Sequence, residues 1–236
     1  MVYGLIIAAG KQSRFDCDTP KALMLYGEST LLDMNIENMK STCDEVFVVT
    51  STENTSWFTG NYKKLVIDSG RGCGDAVMRA LNLLDFNEDD TVFIQWGDCL
   101  HTKHIYQDLR KEYDKHNKWL IPCVKEDSPY VQIIPCEDSK IHVIFSKYDE
   151  SVTPGYHDLS LFYGNAMELQ KQLIEFAKQI QSTENSNCYK HKHGNEMQFL
   201  DVFNETELCG VIIEFNSYDI FAFNTLDEFN TLLTTS

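Results

Sequence analysis

The sequence predicts an α/β fold with a mostly parallel central sheet flanked by helices and a smaller mixed lobe formed by the second half. The chain opens with a continuous apolar run from Val2 to Ala9 that stops at Gly10, which is typical of a strand buried on both faces. Strands and helices then alternate as far as Trp96. From Lys118 onward, several predicted strands follow one another without helices, which indicates some antiparallel pairing.

The first half has the βα order of a Rossmann-like sheet. The predicted strands are Val2–Ala9, Glu45–Thr50, Lys63–Ile67 and Thr91–Trp96, and the predicted helices are Thr30–Lys40 and Asp75–Leu84. Each strand is a short apolar run. The first helix places Leu32, Ile36 and Met39 on one face, and Thr30 with Asp33 makes a capping box. The second helix carries an apolar stripe at helical spacing.

The second half is less regular. Its predicted strands are Lys118–Val124, Tyr130–Ile134, Ile141–Phe145, Leu159–Tyr163, Gly210–Phe215 and Asp219–Phe223. Its predicted helices are Met167–Gln179 and a closing one at Thr225–Leu233. The polar stretch from Gln181 to Gly194 is expected to be a loop.

Composition bounds the possible functions. With 236 residues, 43% of them hydrophobic, the chain can bury one sizeable core. Its formal net charge of −16 disfavours binding to nucleic acid or to an anionic membrane. The N-terminus has no signal-peptide pattern, and no apolar run approaches the roughly 18 residues of a membrane span. We therefore expect a cytoplasmic protein.

The eight cysteines are scattered and form no C-x-x-C pair, so reduced thiols are expected. Cys188, His191 and His193 lie together in a polar stretch and are a candidate metal site, although a partner pair with zinc spacing is missing.

A phosphate-binding loop is predicted directly after the first strand. Ala8-Ala9-Gly10-Lys11-Gln12-Ser13-Arg14 is followed by Thr19-Pro20-Lys21, and open α/β sheets bind ligands at loops leaving the carboxyl ends of strands. Gly10 lets the backbone approach a phosphate, whose oxygens backbone N–H groups can hold. Arg14 offers a planar fork and Lys21 a point charge. The alternative is an ordinary loop with two solvated basic residues.

A metal-binding carboxylate is predicted at the end of another buried strand. Asp98 follows Trp96-Gly97, and Mg²⁺ takes one or two protein carboxylates together with phosphate oxygens. A helix-capping role explains Asp98 less well, because the next segment that could form a helix starts near Thr102.

Five segments together resemble the signature of the nucleotidyltransferase superfamily of NDP-sugar pyrophosphorylases and cytidylyltransferases. The first loop with Pro20-Lys21 is similar to L-A-A-G-x-G-x-R followed by P-K. Gly72-Cys73-Gly74-Asp75-Ala76 resembles the family's G-T-A-x-A motif, and Trp96-Gly97-Asp98 resembles its aromatic-G-D motif. Asn195-Glu196-Met197-Gln198-Phe199-Leu200-Asp201 resembles its E-x-x-x-T-D motif, and Phe223-Asn224-Thr225-Leu226-Asp227 resembles its V-N-T-x-x-D motif. These segments follow one another in the family's order. The resemblance spans nearly the whole chain.

The resemblance implies a single domain over residues 1–236, with an NTP-binding part at about 1–115 and an acceptor-binding lobe at about 118–215. It implies a Mg²⁺-dependent enzyme of cell-surface polysaccharide biosynthesis that transfers a nucleoside monophosphate from an NTP to a small phosphorylated acceptor. Arg14 and Lys21 would be catalytic. The metal would be held by Asp98 and Asn224, and the acceptor by Lys147 and Glu196. The nucleotide would be bound by Ala8, Ala9, Gly10, Lys11, Gln12, Ser13, Arg14, Gly72, Cys73, Asp75, Trp96 and Gly97.

The chain departs from the family pattern at two positions. Gln12 replaces the second glycine of the first motif, so either this position has ordinary φ or Gln12 contacts the nucleotide itself. Uridylyltransferase members read the base with a Gln two residues before G-T, where this chain has Gly70. CTP is therefore favoured over UTP. The short chain and the segment Lys11-Gln12-Ser13-Arg14-Phe15 also resemble choline-phosphate cytidylyltransferases.

Three alternatives are weighed against this interpretation. The first is a UTP- or dTTP-dependent sugar-1-phosphate nucleotidyltransferase. A glycosyltransferase of similar architecture would need a D-x-D motif, but Asp98-Cys99-Leu100 lacks the second acid. A non-catalytic nucleotide-binding relative is disfavoured because the basic and metal-binding residues occur together. The acceptor is open among phosphocholine, a phosphorylated amino acid or polyol, and a sugar 1-phosphate.

Overall fold

The computed structural model describes residues 1–10, 19–68, 70–149, 151–182, 188–192, 194–216, 220–222 and 229. In chain order, the strands are Val2–Ile7 (β1), Leu25–Tyr26 (β2), Ser29–Thr30 (β3), Glu45–Ser51 (β4), Lys63–Ile67 (β5), Thr91–Trp96 (β6), Cys99–His101 (β7), Trp119–Glu126 (β8), Val131–Pro135 (β9), Ile141–Phe145 (β10), Gly155–Asp158 (β11), Leu161–Asn165 (β12), Gly210–Glu214 (β13) and Ile220–Ala222 (β14). The α-helices are Leu31–Lys40 (α1), Cys73–Leu81 (α2), Lys103–His116 (α3), Ala166–Ile180 (α4) and Asp201–Glu205 (α5).

The main sheet has the strand order β10-β9-β11-β8-β12-β6-β1-β4-β5, and β13 pairs with β8. β1 lies between β4 and β6 and pairs with both in parallel, and β5 adds to β4 in parallel. From β6 through β12, β8, β11 and β9 to β10, each neighbouring pair is antiparallel. The predicted α/β fold is confirmed, and the second-half strands extend the same sheet.

Helices cover both faces of this sheet because each presents an apolar stripe to it. α2, α4 and α5 pack on one face, and α1 and α3 pack on the other. Thr30 is the N-cap of α1, and its Oγ1 accepts from the backbone N–H of Asp33 at 3.0 Å, as the predicted capping box requires. No helix in the described part of the chain is both long and apolar enough to cross a bilayer.

Six elements were not predicted: the short strands β2, β3, β7 and β11 and the helices α3 and α5. α3 is mostly polar and buries only Ile105, Tyr106 and Leu109, so its apolar pattern is weak. β11 has four residues and includes His157 and Asp158, which are poor strand signals. The predicted closing helix lies outside the described residues apart from Phe229, which is helical and buried.

Backbone pairing brings three loops to one edge of the sheet. Ile7 and Trp96 are partners at the carboxyl ends of β1 and β6. Beyond them, the N–H of Gly97 donates to the carbonyl of Ile7 at 2.9 Å, and the N–H of Trp96 donates to the carbonyl of Ser160 at 3.1 Å. The loops after β1 and β6 and the turn before β12 therefore adjoin.

Candidate active site

Lys21 and Asp98 meet at this edge, with Nζ 3.5 Å from Oδ2. Lys21 opens a one-turn 3-10 helix directly after Pro20. The next residue, Ala22, is buried, and its Cβ would lie 3.4 Å from a Cβ added at Gly97. This packing holds the turn against the end of β6. The Lys21 side chain is 11% exposed and that of Asp98 is 38% exposed, so the carboxylate is the more open to solvent.

The loop after β1 is held from the side of β4. Ala8 and Ala9 are buried, and the N–H of Ala8 donates to the carbonyl of Val49 at 2.8 Å. Asn54 Nδ2 donates to the carbonyl of Ala8 at 2.8 Å. Gly10 is exposed, and an added Cβ there would meet no described atom within 4 Å.

Sequence reasoning did not single out Asn54, because its contact with Ala8 spans 46 residues. Four of the predicted nucleotide-binding residues lie outside the described residues: Lys11, Gln12, Ser13 and Arg14.

Two separate motifs meet at the start of α2. The N–H of Gly74 donates to the carbonyl of Met197 at 2.9 Å, and the N–H of Met197 donates to the carbonyl of Arg71 at 2.8 Å. Gly72 has φ +106°, and an added Cβ would lie 2.4 Å from the Met197 carbonyl oxygen. Only glycine permits this close approach without a shift. The contact brings the exposed Glu196 next to the glycine motif.

Cys73 links this loop to β6, the strand that precedes Asp98. Its Sγ accepts from the backbone N–H of Phe199 at 3.2 Å, and the Phe199 ring meets Trp96 edge-on at a centroid distance of 5.5 Å. Burial raises the pKa of the Cys73 thiol to about 11, against opposing hydrogen bonds from Phe199 and other backbone groups. Cys73 is therefore a neutral thiol near pH 7 and not a thiolate nucleophile.

Asp75 does not have the geometry expected of a nucleotide-binding residue. Its carboxylate is fully buried. Oδ2 accepts from Arg79 Nε at 2.7 Å and from the Arg71 N–H at 3.0 Å, and Oδ1 accepts from the Tyr189 hydroxyl at 2.5 Å. A buried carboxylate with both oxygens engaged by these partners anchors the glycine loop rather than facing a nucleotide.

The Tyr189 ring completes this anchor. The Arg71 guanidinium carbon lies 4.7 Å from the ring centroid. Burial, followed by the hydrogen bond to Asp75, raises the pKa of the Tyr189 hydroxyl, so Tyr189 remains a neutral donor.

The sheet does not bring Lys147 to Asp98. Lys147 follows β10, the last strand in the sheet order, whereas Asp98 follows β6. Five strand spacings separate the two strands, which is roughly 24 Å measured along the sheet. Lys147 instead places its Nζ 5.1 Å from the ring centroid of Tyr148. The sheet order therefore does not support the prediction that Lys147 binds the acceptor.

The turn between β11 and β12 carries polar residues that sequence reasoning missed. Asp158 is 6% exposed, and its Oδ1 accepts from the N–H of Ser160 at 2.9 Å. Ser160 has φ +58°, which is uncommon for a residue other than glycine. A signal was present in the sequence, since an acidic residue stands directly before the apolar segment of a predicted strand.

His101 stabilises the same turn through a hydrogen bond to its backbone. Its Nε2 lies 2.7 Å from the carbonyl oxygen of Leu159, to which it donates. Burial lowers the pKa of His101 to about 4, so the imidazole is neutral near pH 7.

The candidate metal ligands are only partly described. Asp98 is at the sheet edge, and Asn224 lies outside the described residues. Within the described ranges, no group of three His, Cys, Asp or Glu residues is arranged to hold a metal ion. In the second candidate site, His193 is not described, and His191 Nδ1 lies 3.4 Å from Asp201 Oδ2.

Three solved structures share this fold across nearly the whole chain. A protein from Bacillus anthracis described as a glucose-1-phosphate thymidylyltransferase has a TM-score of 0.72 and 13% identity, with 100% of this chain and 95% of that one covered. HddC from Yersinia pseudotuberculosis complexed with GMP-PN has a TM-score of 0.70 and 13% identity, with coverage of 100% and 99%. CTP:phosphocholine cytidylyltransferase (LicC) from Streptococcus pneumoniae has a TM-score of 0.70 and 15% identity, with coverage of 99% and 98%.

Two sequence comparisons point the same way. The bifunctional protein GlmU of Ruthia magnifica subsp. Calyptogena magnifica is 27% identical over 164 residues, which are 64% of this chain and 34% of that protein. The chain thus spans about a third of the length of this curated relative. Residues 4–162 match the family model described as the MobA-like NTP transferase domain. The chain therefore belongs to the MobA-like NTP transferase domain family, a family of nucleotidyltransferases.

Proposed function

We propose that this chain transfers CMP from CTP to a small phosphorylated acceptor and releases pyrophosphate. The observation that carries the proposal is the placement of Lys21 Nζ 3.5 Å from Asp98 Oδ2, between the loops that follow β1 and β6. This edge of a parallel sheet is where α/β folds bind nucleotides. A cation and a carboxylate there suit a reaction whose reactants are all anionic phosphates.

The chemistry needs no general base, because the attacking oxygen of the acceptor phosphate is already ionised. The acceptor oxygen forms a bond to the α-phosphorus as the bond to the departing pyrophosphate breaks. Catalysis is then positioning and charge neutralisation. Lys21 would neutralise charge between the α-phosphate and the acceptor phosphate, and Arg14 would steady the leaving phosphates. Gly10 and Gly72 would let the backbone approach the nucleotide.

The residues present fit a Mg²⁺ ion. Asp98 offers a hard carboxylate that is 38% exposed at a strand end, and Mg²⁺ is bound by few protein carboxylates plus substrate phosphates. Asp98 would hold the ion, and we propose Asn224 as the second ligand. When bound, the ion neutralises phosphate charge. Lys21 stands beside Asp98 and would turn toward the phosphates when the nucleotide enters.

The choice of CTP rests on Gly70, which has no side chain to read a uracil base. The structural relatives include a protein described as a thymidylyltransferase as well as a cytidylyltransferase. A UTP- or dTTP-dependent sugar-1-phosphate nucleotidyltransferase is therefore the second candidate. The cytoplasm is the proposed location, because the seven described cysteines are free thiols, as expected in a reducing compartment.

The test is pyrophosphate release from a panel of NTPs and phosphorylated acceptors. We expect CTP to give a higher kcat/KM than UTP or dTTP. An equal or better kcat/KM with UTP or dTTP would favour the second candidate. A glycosyltransferase would release a nucleoside diphosphate from a nucleotide sugar and no pyrophosphate from an NTP. The absence of pyrophosphate with every pair would refute nucleotidyl transfer.

A further inference from the structure

A buried carboxylate lies on the far side of the reaction centre and has no partner charge among the residues that the structure describes. Asp158 is 6% exposed, and within the described residues the only other residue that donates a hydrogen bond to it is Ser160, through its N–H at 2.9 Å. The preceding His157 has its Nδ1 2.8 Å from Glu126 Oε2, so this ring nitrogen is engaged by Glu126. Since a buried charge is costly unless it is paired, Asp158 calls for an explanation.

Two features of this turn are unfavourable in free energy: a buried carboxylate and a positive φ at a residue other than glycine. Burial raises the pKa of Asp158, against smaller opposing effects of His157 and the Ser160 N–H. Ser160 has φ +58°, a conformation that costs free energy in a residue other than glycine. Local costs of this kind concentrate at functional sites.

The turn borders the reaction centre on the side away from the nucleotide loops. β1 and β5, which precede proposed nucleotide-binding loops, lie with β4 on one side of β6, and β12, β8 and β11 lie on the other. The carbonyl of Ser160 accepts from the N–H of Trp96 at 3.1 Å, two residues before Asp98. The carbonyl of Leu159 is bound by His101, three residues after Asp98. Residues flanking Asp98 on both sides therefore fix the Asp158 turn.

We propose that Asp158 recognises a positively charged group at the far end of the acceptor, which makes the acceptor a phosphate ester with an ammonium headgroup. This inference rests on the proposed function. A ligand cation would supply the partner charge that the described residues do not give Asp158, whereas the acceptor phosphate would be repelled by Asp158 and drawn to Lys21. These two opposite charges would orient the acceptor, with its phosphate toward Lys21 and its cation toward Asp158. A neutral polyol or sugar would leave the carboxylate uncompensated.

The test compares wild type with Asp158→Asn in pyrophosphate release from CTP. Phosphoethanolamine and phosphocholine are the cationic acceptors, and glycerol 3-phosphate and glucose 1-phosphate are the neutral-headed ones. Asn keeps an oxygen that can accept from the Ser160 N–H, so the turn is retained. Wild type should prefer the cationic acceptors by about 10- to 100-fold in kcat/KM, the range for a hydrogen bond to a charged group. Asp158→Asn should lose this preference through the acceptor KM, with an unchanged KM for CTP.

Stability gives a readout that a merely structural role would not produce. Asp158→Asn should raise the melting temperature at pH 8, because it removes a buried charge. Asp90→Asn is the matched control: Asp90 is 1% exposed, and its carboxylate is hydrogen-bonded by the N-terminal ammonium and by Asn87. That variant should melt at a lower temperature and keep the acceptor preference. A lower melting temperature for Asp158→Asn would overturn the inference.

Three kinetic results would also overturn the inference. The first is a higher kcat/KM of wild type for the neutral-headed acceptors. The second is an Asp158→Asn variant that keeps the preference for cationic acceptors, and the third is an Asp158→Asn variant whose kcat/KM falls equally for all four acceptors. Absence of pyrophosphate with every pair would refute the proposed function instead. Thermal shifts of wild type and Asp158→Asn with phosphoethanolamine and with glycerol 3-phosphate would then decide the inference. Shifts that are equal for the two ligands in wild type would refute it.

Discussion

The ammonium group of Lys21 lies 3.5 Å from Oδ2 of Asp98, although 77 residues separate them in sequence. Their meeting follows from the parallel pairing of β1 with β6, which brings the two carboxyl ends to one edge. The buried Ala22, packed beside Gly97, keeps the Lys21 turn in place. The contact thus joins the first loop to the candidate metal ligand.

Lys21→Ala should lower kcat for pyrophosphate release by about 10²–10³-fold, as is typical when a group that stabilises transition-state charge is removed. Circular dichroism should show an intact fold. Lys111→Ala is the matched control, because Lys111 is exposed on α3 and pairs with Asp108 only three residues away. A wild-type kcat in Lys21→Ala would remove Lys21 from the mechanism.

Activity should be lost in excess EDTA and restored by added Mg²⁺. Asp98→Asn should raise the Mg²⁺ concentration that gives half-maximal activity by roughly tenfold or more, because a neutral amide is a poorer ligand than a carboxylate for this ion. The measurement is a Mg²⁺ titration at saturating CTP. Full turnover in excess EDTA would contradict a metal role.

Gly72→Ala should destabilise the protein by about 1–3 kcal/mol through backbone strain and should raise the KM for the NTP. The cause is its φ of +106° together with the 2.4 Å approach of an added Cβ to the Met197 carbonyl oxygen. Urea unfolding and NTP kinetics measure the two effects. Gly70→Ala is the control for stability, since its Cβ would meet the Ala76 side chain at an ordinary 3.4 Å. Equal stability of the two variants would refute the strain argument.

Stability should fall as the pH drops below about 6.5 because of His101. Its folded-state pKa of about 4 lies below the ordinary histidine pKa of 6.5, so the unfolded chain binds protons more readily than the folded one. The contribution is full above pH 6.5 and is lost as the pH falls through about 4. At pH 5 the loss relative to pH 7 is about 2 kcal/mol by linkage. Urea unfolding at both pH values measures it, and His101→Gln should flatten the dependence. An unchanged slope in that variant would assign the effect to other groups.

Local sequence patterns were sufficient for many elements. The strands Lys63–Ile67, Thr91–Trp96 and Ile141–Phe145 were predicted with the bounds that the structure shows. Each is a short run enriched in residues that favour strands, next to polar or turn residues. The capping of α1 by Thr30 was also predicted correctly, because a cap is formed within one turn of chain.

Local sequence patterns did not predict features that depend on contacts between residues far apart in sequence. The polar α3 is stabilised as a helix by a few buried side chains that pack on the sheet. Asp75 was placed at the nucleotide by its motif, but its oxygens are taken by Arg71, Arg79 and Tyr189. Tyr189 is 114 residues away, and its contact could not be predicted from local spacing.

The sequence by itself determined the alternation of strands and helices and indicated the residues that we propose for phosphate and metal binding, because both kinds of pattern lie within short stretches of chain. The tertiary structure decided which of those stretches meet. The order β6-β1-β4-β5 places Lys21 beside Asp98, and the antiparallel extension leaves Lys147 beyond the end of the outer strand β10 and fixes Asp158 near the reaction centre. Strand order and register arise from pairing and packing between distant segments, whose free energy no local pattern contains.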